Sequence, residues 1–306
     1  MKIFVKNKPT DAWHWILNNG YVSAWKYKGY DTFLFDKLED LKNQTDYNVM
    51  CFDDDINNFE SLEILQKSNK SWVYVQPTYY PDKWGKNPLF TTSCNAHLRN
   101  QIEKNRNIKL WSFVTTYDNE PLFSGWNKVH NILLGFDDIN YIKNITKPHV
   151  KYQYDVCYIG GRAHNGFDEK IKLLKEVFTE FEKSNLKTGF FINKGLSLAA
   201  EANILFHSGI GLNVHDVFQR LYGYDTNERT FKTLGLTGYL VSDAIKQLQE
   251  FFPSTPSDND PKNLVKHVKS FFELTEKERN DIKETNRHIM LNQHTYKNRV
   301  ESLLSL

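Results

Sequence analysis

The segment Asn227-Glu228-Arg229-Thr230-Phe231-Lys232-Thr233-Leu234-Gly235-Leu236-Thr237-Gly238-Tyr239-Leu240-Val241-Ser242-Asp243 carries the residue types needed to bind a phosphate. It reads as a helix start, one helix, a glycine turn and a short apolar strand. A helix N-terminus presents unpaired backbone N–H groups and the positive end of the helix dipole, which together attract an anion. Thr226 or Asn227 can cap that start, and Glu228 and Arg229 fall in the first turn, facing a possible ligand. An ordinary αβ unit of a parallel sheet has the same pattern, so the neighbouring segments must decide between the two readings.

In Tyr154-Asp155-Val156-Cys157-Tyr158-Ile159-Gly160-Gly161-Arg162, the glycine pair follows a strand and lets backbone come close to a ligand. Arg162 could then hold a phosphate oxygen. The third glycine of a dinucleotide fingerprint is missing, and a plain tight turn fits the window equally well. Gly209-Ile210-Gly211-Leu212-Asn213-Val214-His215 ends a strand on Asn213 and His215, which could bond a phosphate or a sugar hydroxyl, although a locally satisfied histidine is the commoner case. Trp13-His14-Trp15 follows the first strand. His14 could act as a base on an acceptor hydroxyl, and either tryptophan could stack on a sugar or belong to the core. Asp53-Asp54-Asp55 follows another strand. Its carboxylates could hold a divalent cation on a nucleotide diphosphate, but helix capping before Ile56 is favoured because no further metal ligands can be located.

Short apolar runs alternate with helical patterns and so position these residues. Strands are expected at Ile3–Val5, Thr32–Phe35, Asn48–Phe52, Trp72–Val75, Leu110–Val114 and Ile132–Phe136, then at Tyr154–Ile159, Gly189–Ile192, Ile210–Val214 and Tyr239–Val241. Helices are expected from Trp13 to Trp25 with a break near Gly20, at Ile56–Gln66 and Ala96–Lys104, from the glycine pair through Phe181, at Ser197–Leu205, and from about Pro261 to the end. This order predicts two Rossmann-like α/β domains with parallel sheets, joined near Lys147-Pro148. The boundaries are 1–146 on the acceptor side, 147–285 on the donor side, and a C-terminal helix, 286–306, that can cross back to the first domain. Ligands of such sheets bind at the carboxyl ends of strands, so a cleft between the domains is the default site.

Bulk properties exclude several classes. A hydrophobic content of 40% and a charged content of 25% are those of a globular chain. The net charge of +2 gives no general field for nucleic acid, though it leaves room for a local basic groove. Cys51, Cys94 and Cys157 lack metal-ligand or redox spacing and fit reduced thiols in a cytoplasmic protein. No signal peptide opens the sequence, and no run approaches the ~20 apolar residues that span a bilayer.

Taken together, the segments resemble the CgeB-like, spore-maturation-type glycosyltransferases of GT-B fold. The likeness rests on Tyr154–Gly161, Gly211–His215, Arg229–Leu234 with Gly238–Asp243, Leu133–Asp137 and His294–Val300, and it is fuller in the second half. It implies transfer of a sugar from a nucleotide-diphosphate donor, a UDP-sugar as first choice, to an acceptor hydroxyl without a metal or other cofactor. The acceptor would be a glycan, a protein or a hydroxymethylated DNA base. Under this resemblance His14, Arg229 and Glu228 are the catalytic candidates. Gly160, Gly161, Arg162, Asn213, His215, Thr226, Asn227 and Thr230 are the donor-binding ones, and Lys170 is a weaker one that would fit an exposed helix face equally well. Where Lys232 stands, many relatives place an acidic residue that binds the donor ribose; Lys232 cannot accept a hydroxyl hydrogen bond, so that task moves to Glu228 or donor recognition differs. The alternatives are a non-catalytic sugar-nucleotide or glycan binding protein on the same fold, and a metal-dependent GT-A-type transferase using Asp53 and Asp55.

Overall fold

The computed structural model describes residues 1–77, 96–117, 123, 126–146, 153–161 and 169–306. Within them the alternating pattern forms two all-parallel sheets. The chain divides into two compact units: Met1–Gly135 together with Tyr296–Leu306, and Phe136–Thr295.

The first unit runs β1 (Lys2–Lys6), α1 (Asp11–Trp13), a π-helical stretch His14–Tyr21, α2 (Val22–Tyr27), β2 (Asp31–Phe35), β3 (Tyr47–Phe52), α3 (Phe59–Lys67), β4 (Lys70–Tyr74), α4 (Ala96–Lys104), β5 (Ile108–Ser112) and β6 (Val129–Asn131). Its strand order is β2-β1-β3-β4-β5-β6. Every residue of β3 is buried, as expected of a central parallel strand covered on both faces. The helix expected to break at Gly20 continues through it. Gly20 instead makes room for a ring, since a Cβ there would lie 2.4 Å from the side chain of Tyr296. The strand expected at Ile132–Phe136 lies earlier, where Val129 pairs with Leu110. The apolar run after it is buried but forms no strand of its own, because an apolar run reports burial and not pairing. The Ile132 amide donates to the Ser112 carbonyl at 2.8 Å, and Phe136 makes an isolated parallel bridge to Thr295.

The second unit contains α5 (Asp138–Ile142), β7 (Tyr154–Gly160), α6 (Glu169–Glu182), β8 (Thr188–Ile192), α7 (Leu198–Phe206), β9 (Ser208–Asn213), α8 (Val217–Tyr222), α9 (Glu228–Thr237), β10 (Leu240–Ser242), α10 (Lys246–Phe251), α11 (Pro261–Glu273) and α12 (Glu276–Gln293). The strand order is β10-β9-β7-β8. α8 and α10 are too short for periodicity to reveal them. The terminal helix expected from 286 is two helices, because α12 ends before His294 and α13 (Tyr296–Ser305) belongs to the first unit.

α9 is seated on β9 by glycines and held from behind by α12. A Cβ on Gly211 would stand 1.9 Å from the Thr233 methyl, and one on Gly235 would stand 2.7 Å from the Phe136 ring. At the other end, Arg287 Nε donates to the Leu236 carbonyl at 3.0 Å and Asn286 Nδ2 to that of Gly238 at 2.9 Å. These donors satisfy carbonyls that a helix C-terminus leaves open. Lys283 Nζ reaches the carbonyls of Ser208 and Gly209 at 2.9 and 3.0 Å, tying the start of β9 to the same helix. The N-terminus of α9 and the carboxyl end of β9 are thereby brought to one edge of the sheet.

Candidate functional site

Arg229 lies where the strand order of the second sheet reverses, between the carboxyl ends of β7 and β9. Its Nε donates to the Ile159 carbonyl at 2.8 Å, and Nη1 donates to Asn213 Oδ1 at 3.1 Å and to the Val214 carbonyl at 3.2 Å. The guanidinium also lies 4.8 Å from the centre of the Tyr158 ring. A Cβ on Gly160 would fall 2.3 Å from Nη2, so this glycine admits the arginine rather than a ligand. Nη2 itself has no hydrogen-bond partner among the described residues. A reversal point of this kind is where open α/β sheets bind ligands, and here it carries a fixed cation with donors to spare. Gly161 is exposed beside it. Arg162 lies outside the described residues.

Asn227 caps α9 by accepting the Thr230 amide hydrogen at 3.2 Å. The amides of Glu228 and Arg229 are then the remaining open donors of that terminus. Asn213 Nδ2 donates to Thr230 Oγ1 at 2.8 Å and to Asn227 Oδ1 at 3.1 Å, which locks the end of β9 to the start of α9. Behind them His215 is fully buried. Its Nδ1 contacts Asp243 Oδ1 at 2.6 Å and its backbone amide bonds both oxygens of that carboxylate at 3.1 Å. A carboxylate only accepts, so Nδ1 carries a proton, and Nε2 shares a hydrogen bond with Thr226 Oγ1 at 2.7 Å. Thr230 Oγ1 lies 2.5 Å from Thr226 Oγ1 and completes the chain. Both ring nitrogens of His215 are thus engaged inside the protein, and its geometry suits holding the helix cap rather than touching a ligand. Burial pushes the Asp243 carboxyl upward, but His215 and Arg220, 3.2 Å away, outweigh it and hold the group below its ordinary range. Asp243 escaped the sequence reading of the site, although its place directly after a strand was a usable signal.

Lys232 points the other way, into a buried acidic cluster. Its Nζ lies 2.7 Å from Glu201 and 3.4 Å from Glu228. Tyr141 donates its hydroxyl to the second oxygen of Glu201 at 2.8 Å. Burial works against the Lys232 charge, yet Glu201 and Glu228 raise its pKa above the ordinary value. Asp137 caps α5 nearby, accepting from the Asn140 backbone at 3.2 Å and its side chain at 2.9 Å. Burial first, with Asp138 and Glu228 adding to it, pushes its carboxyl up to about 6 against the pull of Asn140. Nothing local in the sequence announces Glu201 as the partner of Lys232.

Lys170, allowed an exposed helix face by the sequence, is instead buried and paired with Asp216. In the first unit, His14 opens the π-helical stretch and sits edge-on to Trp15 with ring centres 5.6 Å apart; its Nδ1 is buried without a hydrogen-bond partner among the described residues. Trp13 belongs to an aromatic cluster, 4.6 Å from Phe52 and 4.7 Å from Tyr74. Asp53 is wholly buried. Asp55 pairs with Lys6 Nζ at 2.6 Å and accepts the Phe52 amide hydrogen at 3.0 Å, which makes the run a capped turn. Among the described residues no group of three His, Cys, Asp or Glu side chains is arranged to hold a metal ion, and no helix is long and apolar enough to cross a membrane.

A family model described as glycosyl transferase-like matches residues 181–305. No curated protein matches the chain. Among solved structures, an alpha-glucosyltransferase in complex with UDP and a 13-mer DNA containing a HMU base superposes with a TM-score of 0.57 at 13% identity, over 100% of this chain and 98% of that one. A T4 phage BGT mutant in complex with UDP-glucose gives 0.54 at 13% identity, over 100% and 98%. TarM of S. aureus, crystallised with fondaparinux, alpha-GlcNAc-glycerol and UDP, gives 0.54 at 10% identity over 88% of this chain; only 57% of that longer chain is covered, so this chain spans just over half of it. Two parallel α/β units and full-length superposition on these structures give the chain the GT-B fold, and the glycosyl transferase-like match lies mainly on the second unit, which carries the reversal point.

Proposed function

We propose that the chain is a metal-independent glycosyltransferase of the CgeB-like group, moving a sugar from a UDP-sugar to an acceptor hydroxyl. The observation that carries this reading is Arg229. It is pinned by three hydrogen bonds at the strand-order reversal with Nη2 left over, beside the open amides of α9. Transfer releases a nucleoside diphosphate, so negative charge grows on the leaving oxygen, and fixed donors there lower the barrier without reorganising. Glu228, with one oxygen facing Lys232 at 3.4 Å, keeps its other for the donor ribose hydroxyls. Asn213, Thr226, Asn227, Thr230 and His215 hold these groups in register, Gly160 makes room for the Arg229 guanidinium, and Gly161 keeps the approach open. In an inverting reaction His14, from the first unit, would take the acceptor proton.

UDP in two of the solved structures supports the donor class, and the DNA with a HMU base and the alpha-GlcNAc-glycerol in their crystals support the modified-DNA and glycan acceptor classes, with a protein hydroxyl as the third class to assay. The GT-A alternative needs a different architecture from the two separate parallel sheets found. The buried free thiols Cys51 and Cys157 support a cytoplasmic setting. A purely binding role is favoured by one feature, the partial neutralisation of Glu228 by Lys232. Thermal shift with UDP and UDP-sugars, followed by an assay for released UDP with and without chelator, tests the proposal. A stabilising shift, chelator-resistant release and loss of both in Arg229→Ala are expected. A shift without turnover over a broad acceptor panel would favour binding alone, and no shift with any nucleotide sugar would overturn the donor site.

A further inference from the structure

The first unit carries a groove of about 410 Å³ at the amino ends of β5 and β6, the opposite end of those strands from the carboxyl edge where ligands of such sheets bind. Lys104 ends α4, Arg106 lies in the turn after it, Lys109 is the second residue of β5, and Lys128 and His130 flank the start of β6. Lys104, Arg106, Lys128 and His130 are exposed. None of these five side chains has an ion-pair partner among the described residues. Among the described lining residues the one carboxylate, Glu103, is spent on the loop, accepting from the Asn127 amide at 2.6 Å and from its side chain at 2.7 Å. One wall of a chain whose net charge is only +2 therefore concentrates four unpaired cations. Their field reaches the next strand, where Lys70 is held below its ordinary pKa, by burial first and by Lys109 second.

The lining chemistry narrows the partner. The cations are interleaved with the amides of Asn100, Asn105 and Asn127, and among the described residues the lining has no tryptophan, tyrosine or phenylalanine. Protein partners are gripped by buried aromatic anchors, and single strands by aromatic stacking. Lysine, arginine and asparagine without rings are the donors that bind phosphate oxygens and position a duplex without reading its bases. We propose that this groove docks the phosphodiester backbone of double-stranded nucleic acid, as a holding site separate from the donor site. The assignment does not depend on the donor reading.

Anisotropy of a short labelled DNA duplex, titrated with the whole protein over a salt series, tests it. Four phosphate contacts give log Kobs a slope of about −3.6 against log salt, so affinity falls on the order of 10²-fold between about 50 and 200 mM. Lys109→Ala and Lys128→Ala should each lower the slope by about 0.9, and Lys104→Glu/Lys128→Glu should abolish binding. The circular-dichroism spectrum and melting curve of the same variants should match wild type and show that the first unit folds. No duplex binding at about 50 mM salt, or a slope indifferent to these substitutions, would overturn the proposal. Equal competition by polyglutamate would overturn the nucleic-acid assignment in favour of an acidic protein. Loss of the UDP response in wild type would strike the donor site alone.

Discussion

Removing the Lys232 ammonium is the sharpest test of how α9 is held. In Lys232→Met the side-chain length survives, but Glu201 and Glu228 lose the cation that stood 2.7 and 3.4 Å away. All three side chains are at least 85% buried, so water cannot replace it. Stripping one partner from a buried pair costs about 3–5 kcal/mol, because the remaining charge is left uncompensated. The second unit has about 160 residues and an unfolding entropy of roughly 2.1 cal/mol/K per residue, about 0.34 kcal/mol/K in all. The expected fall in Tm is therefore about 9–15 °C. The Lys232 pKa is raised in the folded state, so its contribution is complete below the unfolded value of 10.5 and fades only as pH rises through the folded one. The deficit should thus be constant between neutral pH and about 9. Urea unfolding and calorimetry measure it. Lys232→Met/Glu201→Gln, which removes the stranded charge and keeps an acceptor for Tyr141, should recover more than half of the loss. A single variant within about 1 kcal/mol of wild type, or a double variant no better than the single, would show that this cluster is not what anchors the helix.

Other outcomes follow from the same geometry. Arg229→Lys keeps the charge but cannot reproduce the three-bond fork, so UDP affinity should fall about 10-fold or more by calorimetric titration; unchanged affinity would remove Arg229 from the site. The Asp137 carboxyl is raised to about 6. The folded state therefore binds the extra proton, and stability should decline as pH rises from about 4 to about 6, by about 3 kcal/mol in total. In Asp137→Asn that slope should disappear from pH-dependent urea curves, and its persistence would count against the assignment. Gly211→Ala places a methyl 1.9 Å from that of Thr233, an overpacking expected to cost about 1–3 kcal/mol. Gly211→Ala/Thr233→Ser should regain part of that cost by denaturation, and no gain would place the strain elsewhere.

The Asn227–Asp243 segment was legible because every signal in it is local: a capping asparagine, a helical period, a left-handed glycine and an apolar strand. The alternation of strands and helices likewise declares two parallel sheets. Pairings across long sequence separations were not legible. Gly160 looks like a phosphate-loop glycine until Arg229, about 70 residues later, is found against it. His215 reads as a ligand contact until Asp243 and Thr226 are seen to take both its nitrogens. Lys232 looks like a misplaced charge until Glu201 appears on α7. The short helices α8 and α10 and the shifted strand β6 were missed because they contain too few residues to show a period.

The last helix, α13, belongs to the unit that the chain began. Trp72 donates its indole hydrogen to the Leu303 carbonyl at 2.7 Å, Arg299 donates to that of Leu134 at 2.9 Å, and Tyr296 fills the space over Gly20. On a ribosome these residues emerge only after the whole of Phe136–Thr295. The segment Phe136–Thr295 can settle while synthesis continues, but the first unit must wait with Gly20 and Trp72 uncovered. The order of completion is therefore the reverse of the order of translation, and nascent chains stalled before Tyr296 should present an open apolar face to chaperones.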